Sequence, residues 1–238
     1  MKTLSITQDQ LNANGEYIGA DDVSQFDGHI EIAANLGVVR FSAGLQATGR
    51  IKSGDGSGIK AGWGIEAGWG IEAGWGIEAG LGIEAGLGIE AGLGIKAGLG
   101  IKAGLGIKAG DGIKAGLGIK AGDGIEAGWG IEAGLGIEAG LGIKAGDGIK
   151  AGDGIEAGDG IKAGDGIEAG LGIKAGLSID SKTVAARLRI FVGLCMWRIP
   201  EPQEMEIRAE LRCGTIAHGN HVTAATKAAP DGDKEAAA

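Results

Sequence analysis

The chain has 238 residues, of which 52 are glycine, about three times the usual share of ~7%, with only 3 prolines and 4% aromatic residues, so an ordinary globular core is excluded. Hydrophobic residues make up 44%, too many for a disordered Gly/Ser linker, and collagen's Gly-X-Y period and abundant proline are missing. A formal net charge of −9 argues against nucleic acid or anionic lipid as the main partner.

Residues 1–50 read as an N-terminal cap followed by the first irregular coils. The opening MKTLSITQDQLNANG has Gln, Asp and Asn where a signal peptide needs an apolar run of about 7–15 residues. No apolar run of about 18 residues occurs, so no membrane span is expected. Leu4, Ile6, Leu11, Tyr17 and Ile18 predict a small cap over residues 1–28. Ile32, Val38, Leu45 and Ile51, at spacings of six, seven and six, predict that coiling begins near residue 30. GDGSG, Gly54 to Gly58, inserts two residues into a hexad and reads as a protruding corner.

The hexad I-K/E-A-G-W/L/D-G dominates residues 51–180, with 20 copies starting from Ile59 to Ile173. A six-residue period is out of phase with a helix, and two glycines per hexad would each cost about 1 kcal/mol there. In a strand, Ile and Ala of I-x-A point one way and Lys or Glu the other. G-x-G then turns a corner, since glycine tolerates positive φ and close backbone approach. The residue between the glycines is Trp four times, Leu ten times and Asp six times, and no buried slot accepts both an indole and a carboxylate. That column must face solvent, while invariant Ile and Ala fill a narrow interior. The expected fold is therefore all-β, a parallel β-solenoid with non-repeat β caps at both ends. Lys/Glu neighbours are of opposite sign in 11 of 17 pairs at spacing 18, against 8 of 18 at spacing 12, both near chance. Charge therefore favours three sides and about 18 residues per coil only slightly, and the resemblance of the period to triangular hexapeptide β-helices favours them more.

The period is similar to that of the hexapeptide-repeat β-helices of acyltransferases, although here Lys or Glu follows the aliphatic residue where that family places Gly or an acidic residue. The segments GEYIG (Gly15 to Gly19), DGHIE (Asp27 to Glu31) and RIFVGLCMWRIP (Arg189 to Pro200), flanking the GIEAGxGIKAG repeat, resemble Gly-rich hexad proteins of phages and prophages. That resemblance covers most of the chain and implies a host-directed role, with no catalytic residues to carry over.

After Ile179 the glycines thin out, and TVAARLRIFVGLCMW (Thr183 to Trp197) supplies β-branched and large apolar residues that close the rod as a C-terminal β cap over 181–222. Pro200 and Pro202 mark a loop, and MEIRAELRCGTIAHGNHV reads as one or two further strands. Residues 223–238, small and polar, read as a disordered tail.

Chemical signals are sparse. His218 and His221 in AHGNH are candidates for a base of the acyltransferase kind, but a polar cap loop explains them as well, and no metal-ligand spacing, phosphate-binding motif or cofactor motif occurs. Cys195 and Cys213 are too few for a disulfide framework and suit a reducing cytoplasm, that of a host cell if the chain is phage-encoded.

The repeat surface is more informative. Trp63, Trp69, Trp75, Leu81, Leu87, Leu93, Leu99 and Leu105 occupy eight consecutive outward corners spread over all three edges, with Trp129 further on, and are the expected interface residues. Glu66 to Glu90 is a run of five acidic hexads and Lys96 to Lys120 a run of five basic ones. A two-fold axis near Leu93 would set one run against the other in an antiparallel homodimer. The expected function is a non-enzymatic interaction protein that pairs with itself and binds a protein partner. A structural fibre or virion component is the alternative, and a hexapeptide-type acyltransferase or an ice binder is a more remote one.

Overall fold

A computed structural model describes residues 1–222; the tail expected over 223–238 lies outside the described residues. The chain is an all-β parallel solenoid of about 11 turns with about 18 residues per coil. Each hexad gives a three-residue Ile-x-Ala strand and a Gly-x-Gly corner, as in Ile65–Ala67, Ile71–Ala73 and Ile77–Ala79. Each strand pairs in parallel with the strand 18 residues on, Ile upon Ile and Ala upon Ala, as Ile83 does with Ile65 and Ile101. Three faces result, here called the Ile65, Ile71 and Ile77 faces, separated by the Trp63, Trp69 and Trp75 corners. The Trp63 corner lies between the Ile77 and Ile65 faces, opposite the Ile71 face.

The interior is narrow and dry. Every Ile of the repeat is about 1% exposed and every Ala at most 4%. Burying an Ile side chain stabilises by roughly 1.5–3 kcal/mol, so each coil contributes three such terms. Corners are hydrogen-bonded between coils as strands are: Gly80 N–H donates to Ala61 O (3.0 Å), Leu81 N–H to Trp63 O (3.1 Å) and Ile83 N–H to Gly100 O (3.0 Å). Corner backbone groups therefore find partners without side-chain help.

The corner glycines are needed for close approach rather than for positive φ. Among the described residues, positive-φ glycines are confined to the flanks, at Gly15, Gly28, Gly37, Gly56, Gly193, Gly214 and Gly219. In the hexads, a Cβ on the first corner glycine would lie against the carbonyl oxygen of the coil before it, at 2.0 Å for Gly116 and Gly98 O. The second corner glycine is less constrained, with a Cβ on Gly118 standing 3.3 Å from Gly136 O.

Coiling begins earlier than residue 30. Lys2–Ile6 pairs in parallel with Gly28–Ile32, Leu4 against Ile30 and Ile6 against Ile32, so the segment expected as a cap is the first turn. Leu4, Ile6 and Leu11 are buried there, whereas Ile18 is exposed. The inward pairs of the next turn are Ile30 with Ile32 and Val39 with Phe41, and Val38 is only half-buried. At Gly54 to Gly58 the inserted residues stack on a matching wide corner beneath, where Asn35 (φ 61°) donates its N–H to Asp55 O at 2.8 Å. Buried Ser57 ties the two together, its Oγ donating to Ala33 O (2.7 Å) and accepting from Leu36 N–H (2.9 Å).

At the other end the rod does not close at Trp197. Ile179–Val192 runs as one 14-residue strand around all three faces, and Glu206–His218 adds a further turn on it in parallel, with bulges. Losing the corner glycines turns separate short strands into one continuous bent ribbon.

The glycine geometry makes a testable distinction. Gly116→Ala is expected to destabilise by ~3 kcal/mol or more, because backbone must move, while Gly118→Ala costs less than ~1 kcal/mol. Paired urea melts followed by circular dichroism measure the difference.

Candidate interaction surface

With the interior fixed, variation is confined to outward columns. At the Trp63 corner, stacking at 18-residue intervals places Trp63, Leu81, Leu99, Leu117 and Leu135 in one unbroken apolar ladder, each N–H donating to the corner carbonyl before it. Asp153 interrupts it before Leu171 and Leu188. Five side chains at ~4.8 Å spacing make a strip of roughly 19 Å. The Trp69 corner carries Trp69, Leu87 and Leu105, then Asp123, Leu141 and Asp159; the Trp75 corner carries Trp75, Leu93, Asp111, Trp129, Asp147 and Asp165.

All nine residues expected at an interface stand on corners and are exposed, Trp63 by 63% and Trp129 by 61%, the five leucines among them by 43–47%. They do not form one patch. Trp63, Leu81 and Leu99 share one edge, Trp69, Leu87 and Leu105 the second, and Trp75, Leu93 and Trp129 the third. Consecutive reading along the chain missed Leu117 and Leu135, which extend the first edge; reading every eighteenth residue finds them.

Charged columns run down the middle of each face. Lys102 pairs with Glu84 (2.6 Å), Lys96 with Glu78 (3.9 Å), Lys114 with Glu132 (2.8 Å) and Lys120 with Glu138 (2.8 Å), so much of the acidic and basic runs is neutralised between successive coils of one chain. The hydrogen bond from Lys102 to Glu84 raises the lysine pKa, and the one from Lys144 lowers that of Glu126. Exposed pairs of this kind contribute about 0–1 kcal/mol each, so they tune the surface more than they hold the rod. A longitudinal groove lies beside each column, the largest, 1510 Å³, on the Ile65 face next to the unbroken ladder, against 840 and 1060 Å³ on the Ile71 and Ile77 faces.

The histidines serve the backbone and are not gathered into a site. His29 Nδ1 accepts from Arg50 N–H (3.0 Å) and its ring meets Trp69 edge-on at 5.0 Å. His218 Nδ1 lies 2.5 Å from Val192 O and His221 Nε2 lies 2.8 Å from Ala209 O, both bonds joining successive turns. Cys195 and Cys213 are free thiols. Among the described residues, no three His, Cys, Asp or Glu side chains cluster as a metal site requires, and no helix is long and apolar enough to cross a membrane.

One feature had no signal in the period: the loop between the last two long strands. Met196 and Ile199 are 90% and 92% exposed, and Trp197 lies over Gly158, where a Cβ would meet its ring at 3.0 Å. Arg198 clamps the loop by donating twice to Glu204, at 2.5 and 2.6 Å, and Glu201 N–H donates to the same carboxylate. The chain matches no family model, no curated protein and no solved structure.

The clamp sets a pH dependence. Arg198 holds Glu204 down to about 2 from its ordinary 4.5. A lowered carboxylate pKa stabilises the closed loop above pH 4.5, and that contribution is lost as pH falls through about 2. The emission of Trp197, taken as the difference between wild type and Trp197→Phe, should therefore keep its neutral-pH spectrum to about pH 3 and shift below it, whereas in Glu204→Gln it should be shifted already at neutral pH.

Proposed function

We propose that the protein is a non-enzymatic interaction rod that pairs with itself and presents its Trp63 corner to a protein partner. The observation that carries this reading is the unbroken ladder Trp63, Leu81, Leu99, Leu117 and Leu135, exposed apolar side chains at fixed spacing on a rigid edge. Exposed apolar surface of this extent marks an interface, and a preformed edge loses little conformational entropy on binding. The occupant is a protein surface with an apolar strip of roughly the same ~19 Å length, since Asp153 ends the ladder with a carboxylate. The protein acts in the cytoplasm; if the resemblance to phage and prophage hexad proteins holds, the partner belongs to the host cell and is inhibited by being bound.

Leu99→Asp combined with Leu117→Asp tests the reading. Aspartate already stands at Asp153 in this same column, so the fold accepts it. The partner recovered from host extract, purified and titrated by calorimetry, should bind the double variant at least tenfold more weakly than wild type, with an unchanged melting curve. Equal affinity for the two proteins, or failure to isolate any saturable partner, would overturn the proposal.

A further inference from the structure

The Ile71 face differs from the other two in that its central outward column, one residue per coil from Glu31 to Arg208, is charged throughout. In coil order the signs run acid, base, acid, acid, base, acid, base, base, acid, base, and the sequence of signs inverts about its midpoint between Lys108 and Glu126. We propose that this face binds a second copy of the chain, antiparallel, about a two-fold axis at that midpoint; the inference rests on the self-association proposed above and assigns its surface and register.

The operation brings Lys108 against Glu126, Glu90 against Lys144, Glu72 against Lys162, Lys52 against Asp180 and Glu31 against Arg208, each pair occurring twice. No like-signed pair arises. About an axis between Glu90 and Lys108, the position nearest Leu93, Glu72 would meet Glu126 and Lys52 would meet Lys144, so the midpoint is the better register.

Two features of the single chain point the same way. Glu72 stacks on Glu90 and Lys144 on Lys162, and the chain neutralises only the outer member of the acidic pair, Glu72 by Lys52, and the inner member of the basic pair, Lys144 by Glu126. The two-fold sets the acidic block of one copy on the basic block of the other. Among the described residues, Glu90, Lys108 and Lys162 form no ion pair within the chain, and each gains one in the dimer. At the flanking corners Trp69 comes opposite Asp159, Trp75 opposite Asp165 and Trp129 opposite Asp111, where an indole N–H can reach a carboxylate, and Leu87 comes opposite Leu141, whereas Leu105 faces Asp123 and Leu93 faces Asp147.

The size is adequate. Ten coils span nine steps of ~4.8 Å, about 43 Å, and with a side roughly 15 Å wide give about 650 Å² per partner, near the lower end of stable interfaces. Because the contact is mainly charged, affinity should fall steeply with salt. The Trp63 corner, opposite this face, stays free on both outer edges of the dimer.

The test uses two variants of the full chain: Glu72→Lys with Glu90→Lys, and Lys144→Glu with Lys162→Glu. Within one chain Glu72 and Lys162 are five coils, ~24 Å, apart, beyond the screening length at physiological salt, so rescue between them requires a second molecule. By light scattering, wild type should be a dimer that dissociates as salt is raised. Each variant alone should be a monomer, with association weakened at least 100-fold, and an equimolar mixture should recover the dimer mass. Wild-type charge of −9 shifted by four in either direction leaves both variants acidic, so overall attraction does not account for such recovery. A carbodiimide cross-link between Glu72 and Lys162 in the wild type gives an independent reading without substitution. A monomeric wild type would overturn both this register and the self-association reading. A wild-type dimer that both variants preserve, or variants that stay monomeric when mixed, would overturn the register alone.

Discussion

A carbonyl oxygen lies about 2 Å from where a side chain would begin on the first glycine of each repeat corner, and the rest of the structure depends on that approach. It lets one coil settle on the next at strand spacing even where the chain turns, so corner N–H and C=O groups bond between coils. Because turns cost no extra residues, sides stay three residues long and the interior admits only Ile and Ala. Glycine's scarcity in the last two turns shows the same constraint from the other side: without it, Ile179–Val192 bends round as a bulged continuous strand instead of turning sharp corners.

A fixed interior leaves the surface as the part of the sequence free to vary. Inward positions repeat without change for twenty hexads, and outward ones change sign or character from coil to coil. A solenoid's stability is close to a sum of nearest-neighbour terms, and exposed ion pairs add little to it, so the order of Lys, Glu, Leu, Trp and Asp is only weakly constrained by folding. Order on such a surface is better explained by what meets it. An unbroken apolar edge and a face whose charges invert about its centre are two different kinds of order, and they lie on opposite sides of the prism.

Much of this was legible in the sequence. The period, the strand and corner assignments and the outward column all followed from Ile65-like hexads, because identical residues stacked on one another leave few alternatives. The 18-residue coil did not, since identical hexads fit any number of sides, and it rested mainly on the likeness to triangular hexapeptide-repeat β-helices. The flanks were harder. Ile30-x-Ile32 and Val39-x-Phe41 carry the correct inward phase, but the wide corner at Asn35 shifts the count, and spacing alone selected Val38. Lys2–Ile6 is a full turn away from its partner Gly28–Ile32, joined by a segment without hexads, so its role as a coil could not be read from periodicity. The loop at Met196 to Ile199 is fixed by the Arg198–Glu204 clamp, a tertiary contact with no repeat to announce it.

The surface was legible only after the coil was closed. Read along the chain, Glu66 to Glu90 and Lys96 to Lys120 form two blocks, and blocks suggest belts that attract each other. Wound at three hexads per turn, those blocks are distributed over three faces, and on two of them much of the contrast is neutralised within the chain by pairs such as Lys102 with Glu84 and Lys96 with Glu78. Like charges stack on every face, Glu66 on Glu84 and Lys102 on Lys120 on the Ile65 face, Glu72 on Glu90 and Lys144 on Lys162 on the Ile71 face, but only on the Ile71 face do the signs invert from end to end. Within one molecule Lys52 pairs with Glu72 and Lys144 with Glu126, while Glu90, Lys108 and Lys162 form no ion pair among the described residues, and register is locked by Ile upon Ile through the core. A surface whose signs invert about its own midpoint is complementary to a reversed copy of itself, and that symmetry is what the proposed dimer uses.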